Sequence, residues 1–360
     1  MIDPTAQGVS AEHWREVTES CHELRVARVV AETHDAVSLV LEIPPALATT
    51  FRYRAGQFLT FKVPYQGRVL VRSYSLSSSP DVESEHKVTV KRVELGRISN
   101  WMNDAVAHGS PLMVVPPAGV FVLDPAATRD ILFFSGGSGI TPCISIIKTA
   151  LATTRRRMRL VYANRDARSI IFAKELTELA ARHPERLEVF HSLDDERGFL
   201  GAADVAAQLG SERDRDFYLC GPAAFMDTVE HALREQGVAR ERIHIERFIS
   251  PPDHDVLPDE PAAHEGEIAP ASITLVLDGK PHEVPYQAGE RVLHAARRAG
   301  LDPPFSCEEG YCSCCMAKLV SGKVEMAAND CLTPELLADG WVLTCQSRCV
   351  SKDVKLEYPD

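Results

Sequence analysis

Apolar and polar residues follow three different patterns along the chain, beginning with short strand-like runs. These runs lie between about residues 22 and 125, where helical periodicity is confined to Ile98–Val106. Short strands with so little helix predict a small antiparallel β-barrel. The strand-like runs are Leu24–Val30, Ser38–Ile43, Phe58–Val63, Lys87–Val93 and Leu112–Val115.

From about 126 to 249, strand-like runs alternate with helix-like ones. This alternation predicts an α/β domain with a parallel sheet that binds ligands at the carboxyl ends of its strands. We expect strands at Ile131–Phe134, Met158–Ala163, Leu187–His191, Phe217–Cys220 and Ile243–Phe248, and helices at Phe172–Arg182 and Ala223–Gln236.

The third part, 271–360, opens with a predicted hairpin and a helix. Its strand-like runs Ile273–Leu277 and His282–Val284 flank Asp278-Gly279, and an Asp-Gly pair between strands indicates a tight hairpin turn. The helix-like run Arg291–Ala299 follows and is ended by a glycine. This order predicts an α+β domain.

Composition changes this picture in a few places. The segment 250–270 holds five prolines and six acidic residues but no Lys or Arg, which predicts an extended linker. The net charge of −12 argues against a nucleic-acid partner. No apolar stretch approaches the roughly 20 residues of a membrane span. Met1–Ser20 is polar and without periodicity, so we expect a loose arm.

Four cysteines in the third part have the spacing of a plant-type [2Fe–2S] site. Cys307, Cys312 and Cys315 read C-x4-C-x2-C, and Cys345 follows 30 positions later. Thiolates suit iron–sulfur clusters, and Gly310 helps the short loop to turn. A hairpin, a helix and then a cluster loop is the order of a ferredoxin β-grasp domain. The sequence therefore predicts a [2Fe–2S] cluster and electron transfer.

Other assignments of the cysteines stay open. A structural zinc site is the alternative, although such sites usually pair two C-x2-C knuckles or add histidines. Cys349 rivals Cys345 as fourth ligand, and Cys314 is either a spectator or an exchangeable ligand. Because the chain has ten cysteines and no secretory leader, we expect reduced thiols and a cytoplasmic location. Those expected to be small buried hydrophobes are Cys21, Cys143 and Cys331.

A glycine-rich turn follows the first strand of the α/β part. Ser135–Pro142 leads into a helical pattern, and this arrangement offers backbone N–H groups and a helix dipole to a phosphate. Gly137 and Gly139 let the backbone approach a pyrophosphate, and Thr141 adds a hydroxyl. Pro142 stands where G-x-G-x-x-G has its third glycine. A tight turn without a ligand is therefore the alternative.

Two further motifs lie in the barrel part. Arg72-Ser73-Tyr74-Ser75 ends one strand, and Gly96–Ser99 opens the helical segment. An arginine fork suits a pyrophosphate, a tyrosine stacks on a planar ring, and a serine hydroxyl bonds a ring nitrogen. Any one of these residues alone is equally consistent with a solvated strand end.

Together the motifs resemble those of the ferredoxin–NADP reductase superfamily. In order, they are Arg72-x-Tyr74-Ser75, Gly96-x-x-Ser99, Gly137-x-Gly139-Ile140-Thr141-Pro142 and Cys220-Gly221-Pro222. With the ferredoxin-like part, the chain resembles reductase components of multicomponent oxygenases over roughly 22–360. The resemblance implies an enzyme that takes a hydride from NAD(P)H onto FAD and passes single electrons through the cluster to a terminal oxygenase. It requires no catalytic side chain, because the protein's part is to position the cofactors.

The same resemblance implies the cofactor contacts. Arg72 would bind the FAD pyrophosphate, Tyr74 and Ser75 the flavin ring, and Phe248 would cover the flavin face. Gly96 to Ser99 would cap the FAD pyrophosphate. Gly137, Gly139 and Thr141 would hold the pyrophosphate of the nicotinamide cofactor, and Cys220, Gly221 and Pro222 would line its nicotinamide. Further implied cofactor contacts are Ser73, Val90 and Lys91.

Four more stretches resemble the reductases of 3-ketosteroid 9α-hydroxylases, which implies a Rieske-type oxygenase as acceptor. They are Tyr53–Phe58, Val88–Arg92, Tyr162–Asp166 and Thr344–Arg348. The reductase subunits of phenylacetyl-CoA epoxidases have the same domain order and stay an alternative. A redox-sensing module without turnover is a further alternative, from a different class of function.

The choice between NADH and NADPH depends on the residues after the second α/β strand. Asp166 is the only carboxylate there and suits the ribose 2′-hydroxyl of NADH, whereas Arg165, Arg168 and Ser169 suit a 2′-phosphate. Alternatively, the arginines pair with Asp166 on a solvated turn. The resemblance to the steroid hydroxylase reductases favours NADH and leaves NADPH open.

Overall fold

The computed structural model describes residues 4–210, 214–248, 270–308, 310, 312–329 and 331–359. It divides into two compact units, Met1–Phe248 and Ile249–Asp360. The predicted linker 250–270 lies outside the described residues, apart from its last position. Within those ranges, no helix is long and apolar enough to cross a membrane.

The start of the chain corrects one expectation. The described part of Met1–Ser20 is not a loose arm, since it forms a 3₁₀ turn, Thr5–Gln7, and helix α1, Ala11–Val17. Between them Val9 is only 2% exposed, and Gly67 donates its N–H to the Gln7 carbonyl. A single buried valine among polar residues creates no periodic pattern. The hydrophobic pattern therefore did not predict that this segment packs against the protein.

A closed antiparallel barrel follows. Its elements are β1 (His22–Thr33), β2 (Ala36–Glu42), β3 (Phe58–Tyr65), β4 (Arg68–Ser75), β5 (His86–Lys91), α2 (Arg97–Ala105) and β6 (Pro111–Ala118). The sheet order is β4-β3-β6-β1-β2-β5. A bridge between Leu76 and Val88 joins its two edges, and Ser77 donates its N–H to the Lys87 carbonyl at 2.7 Å.

The second half of this unit is a five-stranded parallel sheet in the order β11-β10-β7-β8-β9. Its elements are β7 (Asp130–Gly136), α3 (Ile140–Thr153), β8 (Met158–Asn164), α4 (Ala173–Arg182), β9 (Leu187–Leu193), α5 (Asp194–Arg197), α6 (Ala202–Leu209), β10 (Arg215–Gly221), α7 (Ala223–Glu235) and β11 (Ile243–Arg247). Strand β7 has β8 on one side and β10 on the other, so the strand order reverses there. Such a switch point opens a ligand crevice at the carboxyl end of the strand.

The other unit has the β-grasp order. Its elements are β12 (Ser272–Leu277), β13 (Lys280–Pro285), α8 (Val292–Arg298), β14 (Met316–Ser321), β15 (Val324–Met326), α9 (Pro334–Ala338), β16 (Trp341–Leu343), β17 (Ser347–Cys349) and β18 (Lys355–Glu357). The main sheet runs β13-β12-β18-β14-β16, with β12 and β18 parallel. Asp278 and Gly279 both have positive φ, as a two-residue hairpin turn requires. The predicted fold class is confirmed.

Candidate cofactor and cluster sites

The four predicted cluster ligands come together as two pairs. Cys307 donates its N–H to the Cys312 sulfur at 3.4 Å, and the Cys345 thiol hydrogen-bonds the Cys315 thiol. That bond, with burial as the second cause, raises the pKa of the Cys345 thiol. In the described ranges, no group of three or more His, Cys, Asp or Glu side chains could hold a single metal ion. Two thiol pairs fit the two irons of a [2Fe–2S] cluster.

The segment that carries Cys345 is tied to the cluster loop. The Thr344 hydroxyl donates to the Cys315 carbonyl at 2.9 Å, and Arg291 donates to the Cys345 carbonyl at 2.9 Å. Cys349 lies instead in the main core of this unit, where its N–H donates to the Tyr286 hydroxyl at 2.9 Å. The geometry therefore favours Cys345 over Cys349 as the fourth ligand.

Two other cysteines lie beside these pairs. Cys314 is buried, and its thiol contacts that of Cys312. Cys331 was expected to be a small buried hydrophobe, but it is only half-buried and donates to the Gly310 carbonyl at 3.2 Å. The sequence missed this contact because Cys331 lies 16 positions beyond Cys315, outside the spacing of the loop.

The end of β4 offers an unsatisfied hydroxyl. Ser75 Oγ is buried and has no hydrogen-bond partner among the described residues. Its neighbours are already engaged: the Ser73 hydroxyl pairs with Thr60 at 2.7 Å, and the Arg72 guanidinium donates to the Val71 carbonyl at 2.7 Å. Burial raises the pKa of Tyr74. A buried hydroxyl that lacks a partner beside an aromatic ring fits a flavin ring at this point.

The turn before α2 requires its glycine. Ser99 Oγ accepts the Val93 N–H at 3.2 Å, and a Cβ at Gly96 would lie 2.6 Å from that oxygen. No side chain in the described part of the chain caps the start of α2, so its first N–H groups suit a pyrophosphate. The Val90 side chain is fully buried in the barrel core, so only the Val90 backbone is placed to contact a cofactor.

The glycine-rich turn after β7 lies directly against the end of β10. A Cβ at Gly139 would be 2.0 Å from the Cys220 carbonyl oxygen, and one at Gly221 would be 3.0 Å from the Gly136 nitrogen. Gly137 has φ +52°, and the nearest atom to a Cβ added there would be Lys91 Nζ at 3.6 Å. The Thr141 hydroxyl is used within the turn, since it donates to the Ser138 carbonyl at 3.0 Å. The backbone here is shaped for the close approach of a pyrophosphate.

At the end of β10, Cys220 is fully buried, and burial raises the pKa of its thiol. A thiol held neutral in this way fits the predicted pocket wall and not a nucleophile. Pro222 lies two positions after Cys220, and its ring would be 2.8 Å from a Cβ added at Gly136.

Sequence reasoning missed Glu246 at this site. Glu246 lies opposite Cys220 in the parallel pairing of β11 with β10, and burial raises its pKa to about 8. Phe248, two residues later, is 42% exposed. The only available signal was a carboxylate at the end of an apolar strand, which composition alone does not distinguish from a solvated strand end.

The residues of the alternative 2′-phosphate cradle are engaged with protein partners in the structure. Arg165 donates to Asp35 at 2.7 Å, and Ser169 is buried with its hydroxyl bonded to the Asp166 carbonyl at 2.8 Å. The Asp166 carboxylate caps the short turn Ala167–Ser169 by accepting the Ser169 N–H at 2.9 Å. Arg168 forms an ion pair with Asp166 at 3.4 Å. This is the contact expected if the arginines pair with Asp166 on a solvated turn.

Three family models match consecutive parts of the chain. The oxidoreductase FAD-binding domain matches residues 23–123, and the oxidoreductase NAD-binding domain matches 133–231. The 2Fe-2S iron-sulfur cluster binding domain matches 275–350. The three predicted cofactor classes are thereby confirmed.

Relatives that match over nearly their whole length support the same assignment. The ferredoxin reductase component of 3-ketosteroid-9-alpha-monooxygenase from Rhodococcus rhodochrous is 42% identical, over 93% of this chain and 96% of its own. One component protein of the 1,2-phenylacetyl-CoA epoxidase from Escherichia coli is 35% identical over 94% and 97%. The solved structure of phthalate dioxygenase reductase, which transfers electrons from pyridine nucleotides to [2Fe–2S], is 27% identical over 94% and 98%, with a TM-score of 0.58. The chain therefore belongs to the ferredoxin–NADP reductase superfamily, among the oxygenase reductases that carry FAD-, NAD- and [2Fe–2S]-binding domains on one polypeptide, and it is an NAD(P)H-dependent flavin iron–sulfur oxidoreductase.

Proposed function

We propose that this chain is the reductase of a 3-ketosteroid 9α-hydroxylase and works in the cytoplasm. The observation that carries the proposal is the 42% identity to the Rhodococcus component along nearly the whole of both chains. When bound, FAD takes both electrons of a hydride from the nicotinamide and releases them one at a time to the cluster. The proposed boundaries are 22–125 for FAD, 126–249 for NAD(P)H and 271–360 for the cluster.

In the FAD site, Arg72 and the first N–H groups of α2 bind the pyrophosphate, and Ser75 bonds the flavin ring. This assignment is supported by the Ser75 hydroxyl, which has no partner among the described residues, and by the start of α2, which no described side chain caps. Tyr74 packs along the ring, and Phe248 covers its other face. In this assignment, backbone dipoles and one guanidinium hold the pyrophosphate, one hydroxyl and two aromatic rings orient the flavin, and no protein side chain takes part in the reaction itself.

In the nicotinamide site, the turn at Gly137 and Gly139 holds the pyrophosphate, and Cys220 forms the wall behind the ring. Asp166 accepts a hydrogen bond from the ribose 2′-hydroxyl, which makes NADH the preferred cofactor. Support for NADH comes from the Arg165–Asp35 bond, which directs the guanidinium toward Asp35, and from Ser169, whose buried hydroxyl is bonded to the Asp166 carbonyl. Glu246, opposite Cys220, keeps a proton at neutral pH beside this wall.

In the cluster site, Cys307 and Cys312 would hold one iron of the [2Fe–2S] cluster, and Cys315 and Cys345 would hold the other. The thiol contacts between Cys312 and Cys307 and between Cys345 and Cys315 support this division. Because the ligands are thiolates, loading releases protons from thiols whose pKa the protein raises. Cys314 remains a spectator in this assignment.

Reconstitution tests the proposed partner. The purified, cofactor-loaded chain is mixed with the oxygenase component of a 3-ketosteroid 9α-monooxygenase and, separately, with the oxygenase components of a phenylacetyl-CoA epoxidase. We expect NADH-coupled steroid hydroxylation with little epoxidation. Efficient coupling to the epoxidase alone would favour the second candidate, which the 35% identity to the Escherichia coli protein supports. Failure to reduce cytochrome c or ferricyanide with either nucleotide would favour a sensor.

A further inference from the structure

One carboxylate of the barrel faces the nucleotide-binding domain. Asp35 lies in the turn between β1 and β2, and its Oδ2 accepts from Arg165 at 2.7 Å across the boundary between the two domains. The Thr33 hydroxyl donates to its Oδ1 at 2.7 Å. The Asp35 side chain is only 13% exposed. Both carboxylate oxygens are therefore engaged, and their direction is fixed.

A second cation reaches the same carboxylate. Lys91 Nζ lies 3.8 Å from Asp35 Oδ2 and 3.6 Å from the place a Cβ would take at Gly137. Arg165 immediately precedes Asp166, the proposed ribose contact. Asp35 thus joins a cation beside the pyrophosphate turn to a cation beside the proposed ribose contact.

We propose that Asp35 is a positioning residue that determines cofactor specificity: it holds Arg165 away from the 2′ position of the bound nucleotide and so disfavours NADPH. This inference rests on the proposed nicotinamide site. Released from Asp35, the arginine fork would reach a 2′-phosphate as a bidentate donor.

The charges around the 2′ position explain the direction of the effect. Asp35 is paired with Arg165 and Lys91, and Asp166 is paired with Arg168. A 2′-phosphate would therefore have to compete with these two carboxylates for the cations. Discrimination of this kind works by repulsion of the wrong ligand as much as by attraction of the right one. A 2′-hydroxyl carries no charge and is insensitive to the same arrangement.

The test compares kcat/KM for NADH and NADPH in the full-length, FAD-loaded chain, with ferricyanide as acceptor at constant ionic strength. Asp35→Asn should raise the NADPH-to-NADH ratio about tenfold, mainly through a lower KM for NADPH. The double variant Asp35→Asn, Arg165→Gln should lose that gain. Thr33→Val, which removes only the hydroxyl that orients Asp35, should shift the ratio in the same direction by about twofold to threefold.

A matched control is Glu85→Gln, which removes a carboxylate from an ion pair with Arg28 of the same 2.7 Å length in the barrel, and it should leave the ratio unchanged. An unchanged ratio in both Asp35→Asn and Thr33→Val would overturn the inference. So would a gain that persists in the double variant, since the effect would then not depend on Arg165. Absence of NADH-driven ferricyanide reduction in the wild type would instead refute the proposed nicotinamide site itself.

Discussion

Lys148 of α3 lies 2.6 Å from Glu83, which comes from the loop after β4, and the lysine side chain is only 5% exposed. The same ammonium group reaches Glu175 of α4 at 3.1 Å. Lys87 of β5 lies 3.9 Å from each carboxylate. These two lysines and two glutamates form an alternating network that joins the barrel to the nucleotide-binding domain, and Lys148 is its most buried member.

Replacing Lys148 should therefore destabilise the first unit. Lys148→Met keeps most of the volume but leaves two carboxylates with only the more distant Lys87. Loss of one partner from a buried pair costs about 3–5 kcal/mol, and partial exposure of the glutamates favours the lower end. Urea unfolding of the FAD-saturated protein measures the change. Lys174→Met, in an exposed pair on α4, should cost below about 1 kcal/mol, and equal effects of the two variants would refute the role of burial.

Glu246 predicts a particular pH dependence. Burial raises the pKa of this carboxyl from 4.5 to about 8, so the folded state binds the proton more tightly than the unfolded state does. The resulting stability is fully present below pH 4.5 and is lost as the pH rises toward 8, by at most about 1.4 kcal/mol per pH unit. Glu246→Gln should remove this slope. The measurement is the difference in unfolding free energy between the two proteins at several pH values, and a difference that does not vary with pH would contradict the raised pKa.

Arg72 predicts loss of flavin. Arg72→Ala removes a charge-assisted contact worth about 1.5–3 kcal/mol, which corresponds to FAD binding weakened roughly tenfold to a hundredfold. The variant should purify with depleted flavin, and titration with FAD should report the weaker dissociation constant. Arg52→Ala, at an exposed position of the same domain, should keep its flavin. Full occupancy of the Arg72 variant at dilute protein would show that the pyrophosphate lies elsewhere.

The sequence was informative wherever the chemistry is local. The Asp278-Gly279 turn and the glycines after β7 each depend on residues a few positions apart, and each predicted the right local structure. The Cys307–Cys315 spacing is equally local, and it predicted the 2Fe-2S domain that the family model matches. The domain order followed from three patterns of periodicity. Spacing and periodicity are properties of short windows, so they can be read without the fold.

What the sequence could not predict are contacts made by tertiary packing. Arg165 was expected to pair with Asp166 or a phosphate, but it bonds Asp35, 130 positions away. Glu246 meets Cys220 only because β11 pairs in parallel with β10. The Cys331 thiol bonds the Gly310 carbonyl, 21 positions away, because tertiary packing brings the two segments together. No local pattern encodes which distant strand or turn supplies a partner.

The central claim is that electrons leave this chain through a cluster held in part by Cys345. The most direct test measures NADH-driven reduction of cytochrome c and of ferricyanide, together with iron content, in the wild type, Cys345→Ser and Cys349→Ser. In Cys345→Ser we predict loss of iron and of cytochrome c reduction, while ferricyanide reduction through FAD largely survives. Cys349→Ser should keep both activities and its iron. Loss of the cluster in Cys349→Ser but not in Cys345→Ser would contradict the account.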